Sequence, residues 1–241
     1  MKVLITGSQG FIGRNLIEAL LNIDGLTILK HTRHDSEQEL LKKLETTDFI
    51  FHLAGVNRNN SDSEFVNTNV KFTKTIVDYL NLMHREIPIV FTSSIQSGSA
   101  TIYGRTKSEA ESILLNYAKD TGARVRIYKL PNVFGKWSKP DYNSAIATFC
   151  YRVVNNLPIN VPDPIASLRL VYIDDVVKTF ARDLEINTAN NVFGVVEPEF
   201  DTTVGEVLRL IRNFKDSLEA SNQFEQKSEL IHKLYLTYLS F

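Results

Sequence analysis

The stretch KVLITGSQGFIG (residues 2–13) decides the fold of this chain. An apolar run predicts a strand, the three glycines Gly7, Gly10 and Gly13 follow with the spacing GxxGxxG, and Phe11–Asn22 has the periodicity of a helix. Glycines at this point allow the backbone to turn sharply and to approach a pyrophosphate, whose charge suits the N-terminus of the helix. The stretch therefore predicts a dinucleotide-binding strand–turn–helix.

The same alternation of strand and helix continues along the chain. A capping box at Ser36–Glu39 opens one further helix. The remaining predicted elements are the strands Leu26–Leu29, Asp48–Leu53, Pro88–Thr92 and Arg124–Leu130 and the helices Ser63–Leu82 and Tyr103–Thr121, the last of which stops at Gly122. This alternation predicts an α/β protein with a Rossmann-like, doubly wound parallel sheet.

Beyond Leu130 the pattern loosens, because prolines at 131, 140, 158, 162 and 164 divide the chain into short pieces. Leu168–Ile173, a helix from Asp174 and the strand Val192–Val196 are expected to return to the sheet. We predict an NADP-binding core at 1–130, completed by about 168–196. A small substrate-binding lobe is predicted from 131–167 and 197–241, with a capped helix from Thr203.

Composition excludes several classes of function. The formal net charge of −1 gives no electrostatic footprint for nucleic acid. No apolar run reaches the roughly 20 residues that span a bilayer, and the single cysteine, Cys150, fits a reducing compartment. The five histidines form no ligand set, so no metal is expected. The sequence predicts a cytoplasmic protein that does not bind membranes.

The segment after the second predicted strand bears on the choice of cofactor. Its sequence is Lys30-His31-Thr32-Arg33-His34, and Arg33 lies 20 residues past Gly13, where an NAD site usually has an acidic residue. Arginine pairs with a ribose 2′-phosphate, and Arg14 is placed to help. NADP(H) is the predicted cofactor, and NAD(H) is the alternative.

Tyr103 and Lys107 form a YxxxK motif at the start of a predicted helix. A spacing of four places both side chains on one face, where the ammonium is expected to lower the pKa of the phenol and ready it for acid–base catalysis. The preceding strand ends at Ser93-Ser94, and carboxyl ends of parallel strands are where such sheets bind ligands. Ser94 is the predicted donor to the reacting oxygen, with Ser93 in reserve.

These motifs together resemble the extended short-chain dehydrogenase/reductases. The match also includes His52-Leu53-Ala54-Gly55, Asn69-Val70 and Tyr172-Ile173-Asp174-Asp175. Residues 52–58, 131–137, 140–151 and 236–240 are more specific. They resemble the N-terminal reductase domain of bifunctional capsular polysaccharide enzymes of UDP-N-acetyl-L-fucosamine biosynthesis.

The resemblance implies NADPH-dependent reduction of the C4 ketone of a UDP-2-acetamido-2,6-dideoxy-4-hexulose. It adds Asn69 to the catalytic set of Ser94, Tyr103 and Lys107. It also implies cofactor contacts at Phe11, Ile12, Leu53, Ala54 and Gly55, besides those at the glycines, Arg14, Arg33, Tyr103 and Lys107. Contacts with the UDP-sugar are implied at Asn132, Asn143 and Arg169, together with Ser94.

Fuller members of that family carry a C-terminal cupin epimerase domain with zinc, and this chain stops at Phe241, about where the linker to it would begin. Trp137, Tyr142 and Phe149 are either stacking partners for uracil or sugar, or packing residues of the lobe. A homodimer is left open. The alternative functions are an NAD-dependent UDP-sugar 4-epimerase or dehydratase and a non-catalytic NADPH-binding scaffold.

Overall fold

The structure is a computed structural model that describes residues 1–58, 61–142, 144–185, 192–220 and 228–241. The chain divides into two compact units, each with its own sheet. The first unit consists of Met1–Leu130 and Val177–Val195, and the second of Pro131–Val176 and Val196–Phe241.

The first unit is built on a six-stranded, fully parallel sheet, here called the main sheet. In the order in which they pair, its strands are β2 (Thr27–His31), β1 (Lys2–Thr6), β3 (Phe49–His52), β4 (Ile89–Ser94), β5 (Val125–Leu130) and β8 (Phe193–Gly194). Strands β1, β3 and β4 are buried almost throughout, as expected for a parallel sheet covered on both faces. The predicted Rossmann-like sheet is confirmed.

The helices of the first unit follow the strands in turn. They are α1 (Phe11–Leu20), α2 (Glu37–Thr46), α3 (Asp62–Phe65), a π-helical segment (Val66–Lys71), α4 (Phe72–Leu82) and α5 (Ile102–Thr121). Helix α5 ends at Gly122 in the left-handed conformation (φ 83°), as the sequence predicts. The predicted helix Ser63–Leu82 therefore contains a π-helical insertion that periodicity did not reveal.

Apolar side chains of α2, α4 and α5 pack on one face of the main sheet. This core is built around Leu4, Ile50, Leu80, Phe91 and Leu114. The chain passes from β1 to β2 on one side of β1 and then crosses to β3 on its other side, so the direction of the connections reverses at β1. The carboxyl ends of β1 and β3 therefore flank the crevice where such sheets bind ligands.

The second unit contains a three-stranded sheet of β6 (Asn132–Phe134), β7 (Ser167–Tyr172) and β9 (Glu199–Thr203). Its helices are α6 (Ala145–Val154), α8 (Val204–Glu219) and α9 (Glu229–Tyr238), and α7 (Ile173–Arg182) runs from this unit into the first. The prediction that Leu168–Ile173 returns to the main sheet is wrong, because β7 pairs with β6 and β9. The return is made by the short β8, within the predicted strand Val192–Val196.

Candidate active site

The glycine turn closes tightly between β1 and α1. Gly7 has φ +67°, and a side chain there would bring a Cβ within 2.8 Å of the Ala54 nitrogen. A Cβ on Gly13 would collide with the Gly7 carbonyl oxygen, to which the Gly10 N–H donates at 2.9 Å. No side chain caps the start of α1, so its first N–H groups are available to a phosphate. The turn fits the pyrophosphate of a dinucleotide.

The residues that bear on the choice between NADP(H) and NAD(H) follow the end of β2. Arg33 is exposed, and its Nε donates to His34 Nε2 at 3.5 Å. Asp35, which the sequence analysis did not single out, accepts the Thr32 N–H at 2.9 Å and an ion pair from Lys43 at 3.0 Å. The hydrogen bond from Thr32, followed by that from Lys43, holds the pKa of Asp35 below its usual value. The acidic group near this strand is thus already paired within the protein.

Tyr103 lies in the first turn of α5, behind an N-cap in which Thr101 accepts the Gly104 N–H at 3.0 Å. Its ring lies 6.4 Å from that of Phe65. Burial raises the pKa of the phenol above its usual value, and a hydrogen bond with Ser94 acts in the opposite sense. Ser94 Oγ also accepts the Gln96 N–H at 3.1 Å. The predicted serine therefore lies close enough to the tyrosine to act on the pKa of its phenol.

Lys107 is buried one helical turn beyond Tyr103. Its Nζ donates to the Thr92 carbonyl oxygen at 2.9 Å and lies 4.7 Å from the centre of the Phe91 ring. Burial lowers its pKa to about 8, while Glu111 acts to raise it. The prediction that Lys107 lowers the pKa of Tyr103 is wrong for this structure, because burial of the phenol dominates.

The loop after β3 lies against the lysine. A Cβ on Gly55 would lie 3.0 Å from Lys107 Nζ and 3.3 Å from Asn69 Oδ1. Leu53, Ala54 and Gly55 therefore follow β3 at the end of the main sheet where the glycine turn also lies. Glycine at 55 allows the lysine to lie directly against the backbone.

Asn69 sits in the π-helical segment, a form often found at functional sites. Its Oδ1 accepts the Val56 N–H at 2.8 Å, and its Nδ2 donates to the Val56 carbonyl at 3.0 Å and to Thr106 Oγ1 at 3.1 Å. The amide is thus engaged with protein groups on the loop after β3 and on α5. This geometry suits a residue that positions others better than one that touches substrate.

His52, which the sequence analysis quoted only as part of a motif, lies in a buried chain of hydrogen bonds. Thr73 Oγ1 donates to the Asn69 carbonyl at 2.8 Å, so it accepts from His52 Nε2, also at 2.8 Å. His52 Nδ1 then accepts from Thr6 Oγ1 at 2.8 Å, and Thr6 Oγ1 accepts the Ala54 N–H. Burial lowers the pKa of His52 to about 3. The neutral ring therefore links β1 to the π-helical segment.

Two of the predicted substrate residues, Asn132 and Arg169, lie in the second unit. Asn132 Nδ2 donates to the Arg169 carbonyl at 3.2 Å, and the Arg169 guanidinium pairs with Asp201 at 3.2 Å and Glu199 at 3.7 Å. Asn143 lies outside the described residues. Three aromatic residues were candidates for stacking: Phe149 is buried as a packing residue, whereas Trp137 and Tyr142 are exposed.

Within the described ranges, no three His, Cys, Asp or Glu side chains come together as a metal site. A search of the same residues found no helix with the length and apolar character needed to cross a membrane.

Comparison with known proteins places these features in context. The profile of the NAD dependent epimerase/dehydratase family matches residues 3–195. A UDP-2-acetamido-2,6-beta-L-arabino-hexul-4-ose reductase from Pseudomonas aeruginosa is 42% identical over the whole of this chain. The chain spans 65% of the length of that relative.

Solved structures give the same picture. The capsular polysaccharide assembling protein CapF from Staphylococcus aureus superposes with a TM-score of 0.88 and 37% identity, covering 100% of this chain and 64% of that one. A UDP-glucuronic acid 4-epimerase from Bacillus cereus, in complex with NAD, matches with a TM-score of 0.84 at 17% identity, covering 100% of this chain and 98% of that one. The second likeness shows the fold alone.

Proposed function

Because the chain belongs to the NAD dependent epimerase/dehydratase family, we propose that it is a nucleotide-sugar reductase. It uses NADPH to reduce the C4 ketone of a UDP-2-acetamido-2,6-dideoxy-4-hexulose, in the synthesis of precursors for capsule or surface polysaccharide. The names of the reductase from Pseudomonas aeruginosa and of CapF support this substrate and setting.

The observation that carries the proposal is the place of Ser94 at the end of β4, where it acts on the pKa of a Tyr103 phenol that burial holds above its usual value. Bound NADPH supplies the hydride for the ketone carbon. Charge develops on the ketone oxygen, where Ser94 and Tyr103 donate hydrogen bonds and the phenol gives up its proton. A phenol that retains its proton through neutral pH suits this direction of reaction.

Lys107 holds the cofactor in the proposal, because its ammonium hydrogen-bonds the nicotinamide ribose. The Thr92 carbonyl and the Gly55 backbone fix its position. Asn69, through Val56 and Thr106, holds the loop after β3 against the helix that carries the lysine.

NADPH is preferred to NADH in the proposal because the ribose 2′-phosphate meets Arg33, with Arg14 beside the glycine turn. Asp35 does not compete for a ribose hydroxyl, since Thr32 and Lys43 already hold its carboxylate. Asn132, Asn143 and Arg169 are assigned to the UDP-sugar. The cytoplasmic location, the homodimer and a cupin partner domain remain predictions.

The direct test is the fall in NADPH absorbance when the purified chain meets the 4-keto UDP-sugar named for the Pseudomonas relative. Steady turnover with one C4 alcohol formed per NADPH consumed is expected. Cofactor binding without oxidation would contradict the proposal and favour a scaffold. Tightly held NAD that never exchanges, with interconversion of UDP-sugar epimers, would favour the epimerase instead.

Cofactor preference has its own test. Arg33→Ala is expected to raise the Kd for NADPH about tenfold or more, since one charged hydrogen-bonding partner of the phosphate is lost. The Kd for NADH is expected to change less than about twofold. Fluorescence titration measures both constants, with Arg105→Ala on α5 as the control for loss of a positive charge. Equal weakening of both cofactors would remove Arg33 from the phosphate site.

A further inference from the structure

Glu111 is a buried carboxylate in the first unit to which the proposed reaction assigns no part. It lies on α5 four residues after Lys107, so the two side chains share one face of the helix. Only 5% of its surface is exposed. Buried carboxylates are costly unless they are paired and hydrogen-bonded, and Glu111 has a partner of each kind.

Its two partners come from adjacent strands of the main sheet. Ser93 Oγ on β4 donates to Glu111 Oε1, and Lys129 Nζ on β5 lies 3.2 Å from Glu111 Oε2. Ser93 lies between Thr92, whose carbonyl accepts from the Lys107 ammonium, and Ser94, which acts on the pKa of Tyr103. The carboxylate thus joins α5 to the strand segment that ends at the catalytic serine.

On α5, the described residue that acts to raise the pKa of Lys107 is Glu111. On β3, His52 is neutral, as described above, and therefore adds no charge. On β5, the ammonium of Lys129 faces Glu111 and partly offsets its charge. Burial opposes the charged form of Lys107, so a nearby anion decides how far the lysine stays protonated.

We propose that Glu111 is a positioning residue of the active site: it ties α5 to β4 through Ser93 and keeps Lys107 in its ammonium form. The inference rests on the reductase function proposed above. The glutamate touches neither substrate nor cofactor in this proposal and acts through Ser93 and Lys107.

Glu111→Gln tests the charge, because the amide oxygen still accepts from Ser93 while the negative charge is removed. The pH dependence of the Kd for NADPH, measured by fluorescence from pH 6 to 10, follows the ammonium that holds the ribose. The wild-type protein is expected to lose affinity above about pH 8. In E111Q the loss is expected about one pH unit lower, since an anion close to Lys107 is gone.

Lys129→Gln is the matched control, since it changes the same ion pair from the other side. Removing this half-exposed cation is expected to raise the pH at which affinity for NADPH is lost, by about 0.3 pH unit. If the role of Glu111 were only structural, both substitutions would lower the melting temperature, and both variants would lose affinity for NADPH at the same pH as the wild type. That result, or shifts in the same direction, would overturn the proposal.

If E111Q fails to fold, the result for Lys129→Gln is sufficient to test the proposal. An unchanged or lower pH for the loss of NADPH affinity in that variant would then contradict it. The binding experiment needs no sugar. A protein that turns over no 4-keto UDP-sugar but shows the opposed shifts would lack the proposed function while retaining the role of Glu111.

Discussion

Strand β5 meets two buried carboxylates, one on each face of the main sheet. Tyr128 and Lys129 are neighbours in the chain, so their side chains point to opposite faces. Lys129 pairs with Glu111 on α5, whereas the Tyr128 hydroxyl donates to Asp183 Oδ2 at 2.8 Å. Burial raises the pKa of Asp183.

The surroundings of the two carboxylates differ. Asp183 lies among groups that fill its side of the sheet: the Arg126 guanidinium at 3.9 Å, and Arg124, which donates to its backbone carbonyl at 2.8 Å. Glu111 instead lies on the helix that carries Lys107 and Tyr103, beside the strand that ends at Ser94. Burial of a charge is therefore common to both faces of the sheet, and the α5 face differs in lying beside the residues proposed for catalysis.

The largest expected effect is on the α5 face. Tyr103→Phe removes the proposed proton donor and is expected to lower kcat about a thousandfold. The melting temperature should stay near that of the wild type, because the ring and its contact with Phe65 remain. Stopped-flow oxidation of NADPH and differential scanning fluorimetry give the two values. A kcat within tenfold of the wild type would remove Tyr103 from proton transfer.

The second effect concerns acid. Burial holds the pKa of His52 at about 3 in the folded protein, below its usual value of about 6.5, so the unfolded chain binds a proton that the native protein excludes. Above pH 6.5 His52 takes nothing from the free energy of unfolding. As pH drops towards 3 the free energy of unfolding falls, and this residue lowers it by about 3 kcal/mol at pH 4.5. His52→Asn, which cannot titrate, is expected to show a flatter decline in urea unfolding. An equally steep decline would assign the acid sensitivity elsewhere.

The third effect is on the opposite face. Tyr128→Phe deletes the same atom as Tyr103→Phe but leaves a buried carboxylate without its phenolic donor, at an expected cost of about 1–3 kcal/mol. Turnover per folded molecule should be unchanged at 25 °C. The free energy of urea unfolding and kcat together test this prediction. A loss of turnover without a loss of stability would contradict the assignment of Tyr128 to stability and Tyr103 to catalysis.

The smallest effect has the opposite sign to that of His52. Because burial raises the folded pKa of Asp183, the native protein binds the extra proton, and this contribution to stability falls as pH rises from about 4 through the folded value. Asp183→Asn should therefore gain stability relative to the wild type from pH 4 to 7. Urea midpoints across that range measure it, and a gap that widens towards acid in favour of the variant would reverse the assignment.

Local patterns made the core of the first unit predictable. The turn at Gly7–Gly13 is formed by residues that are close in sequence, and so is the pair Tyr103 and Lys107. The spacing within each motif therefore indicates its geometry. The same holds for the stop at Gly122. The sequence placed Ser94 correctly at the end of a strand, because that end follows from an uninterrupted apolar run.

The remainder depends on contacts that are distant in sequence. His52 bonds Thr6 across 46 residues, and Ser93 reaches Glu111 across 18. No spacing rule connects such positions. The pairing of β7 with β9 was missed for the same reason, since an apolar strand does not reveal its neighbours. The pKa of Tyr103 was misjudged because burial of the phenol raises it, and the group that acts against burial is Ser94 and not Lys107.

The π-helical segment Val66–Lys71 has a consequence for insertions and deletions. Each residue of a helix turns it by about 100°, so one residue removed here would rotate one side of the segment against the other. Phe65, before it, meets Tyr103, and Thr73, after it, meets His52. A shortened chain would gain regular hydrogen bonding yet could satisfy one of these contacts only by forfeiting the other, so the length of this segment is as constrained as its residues.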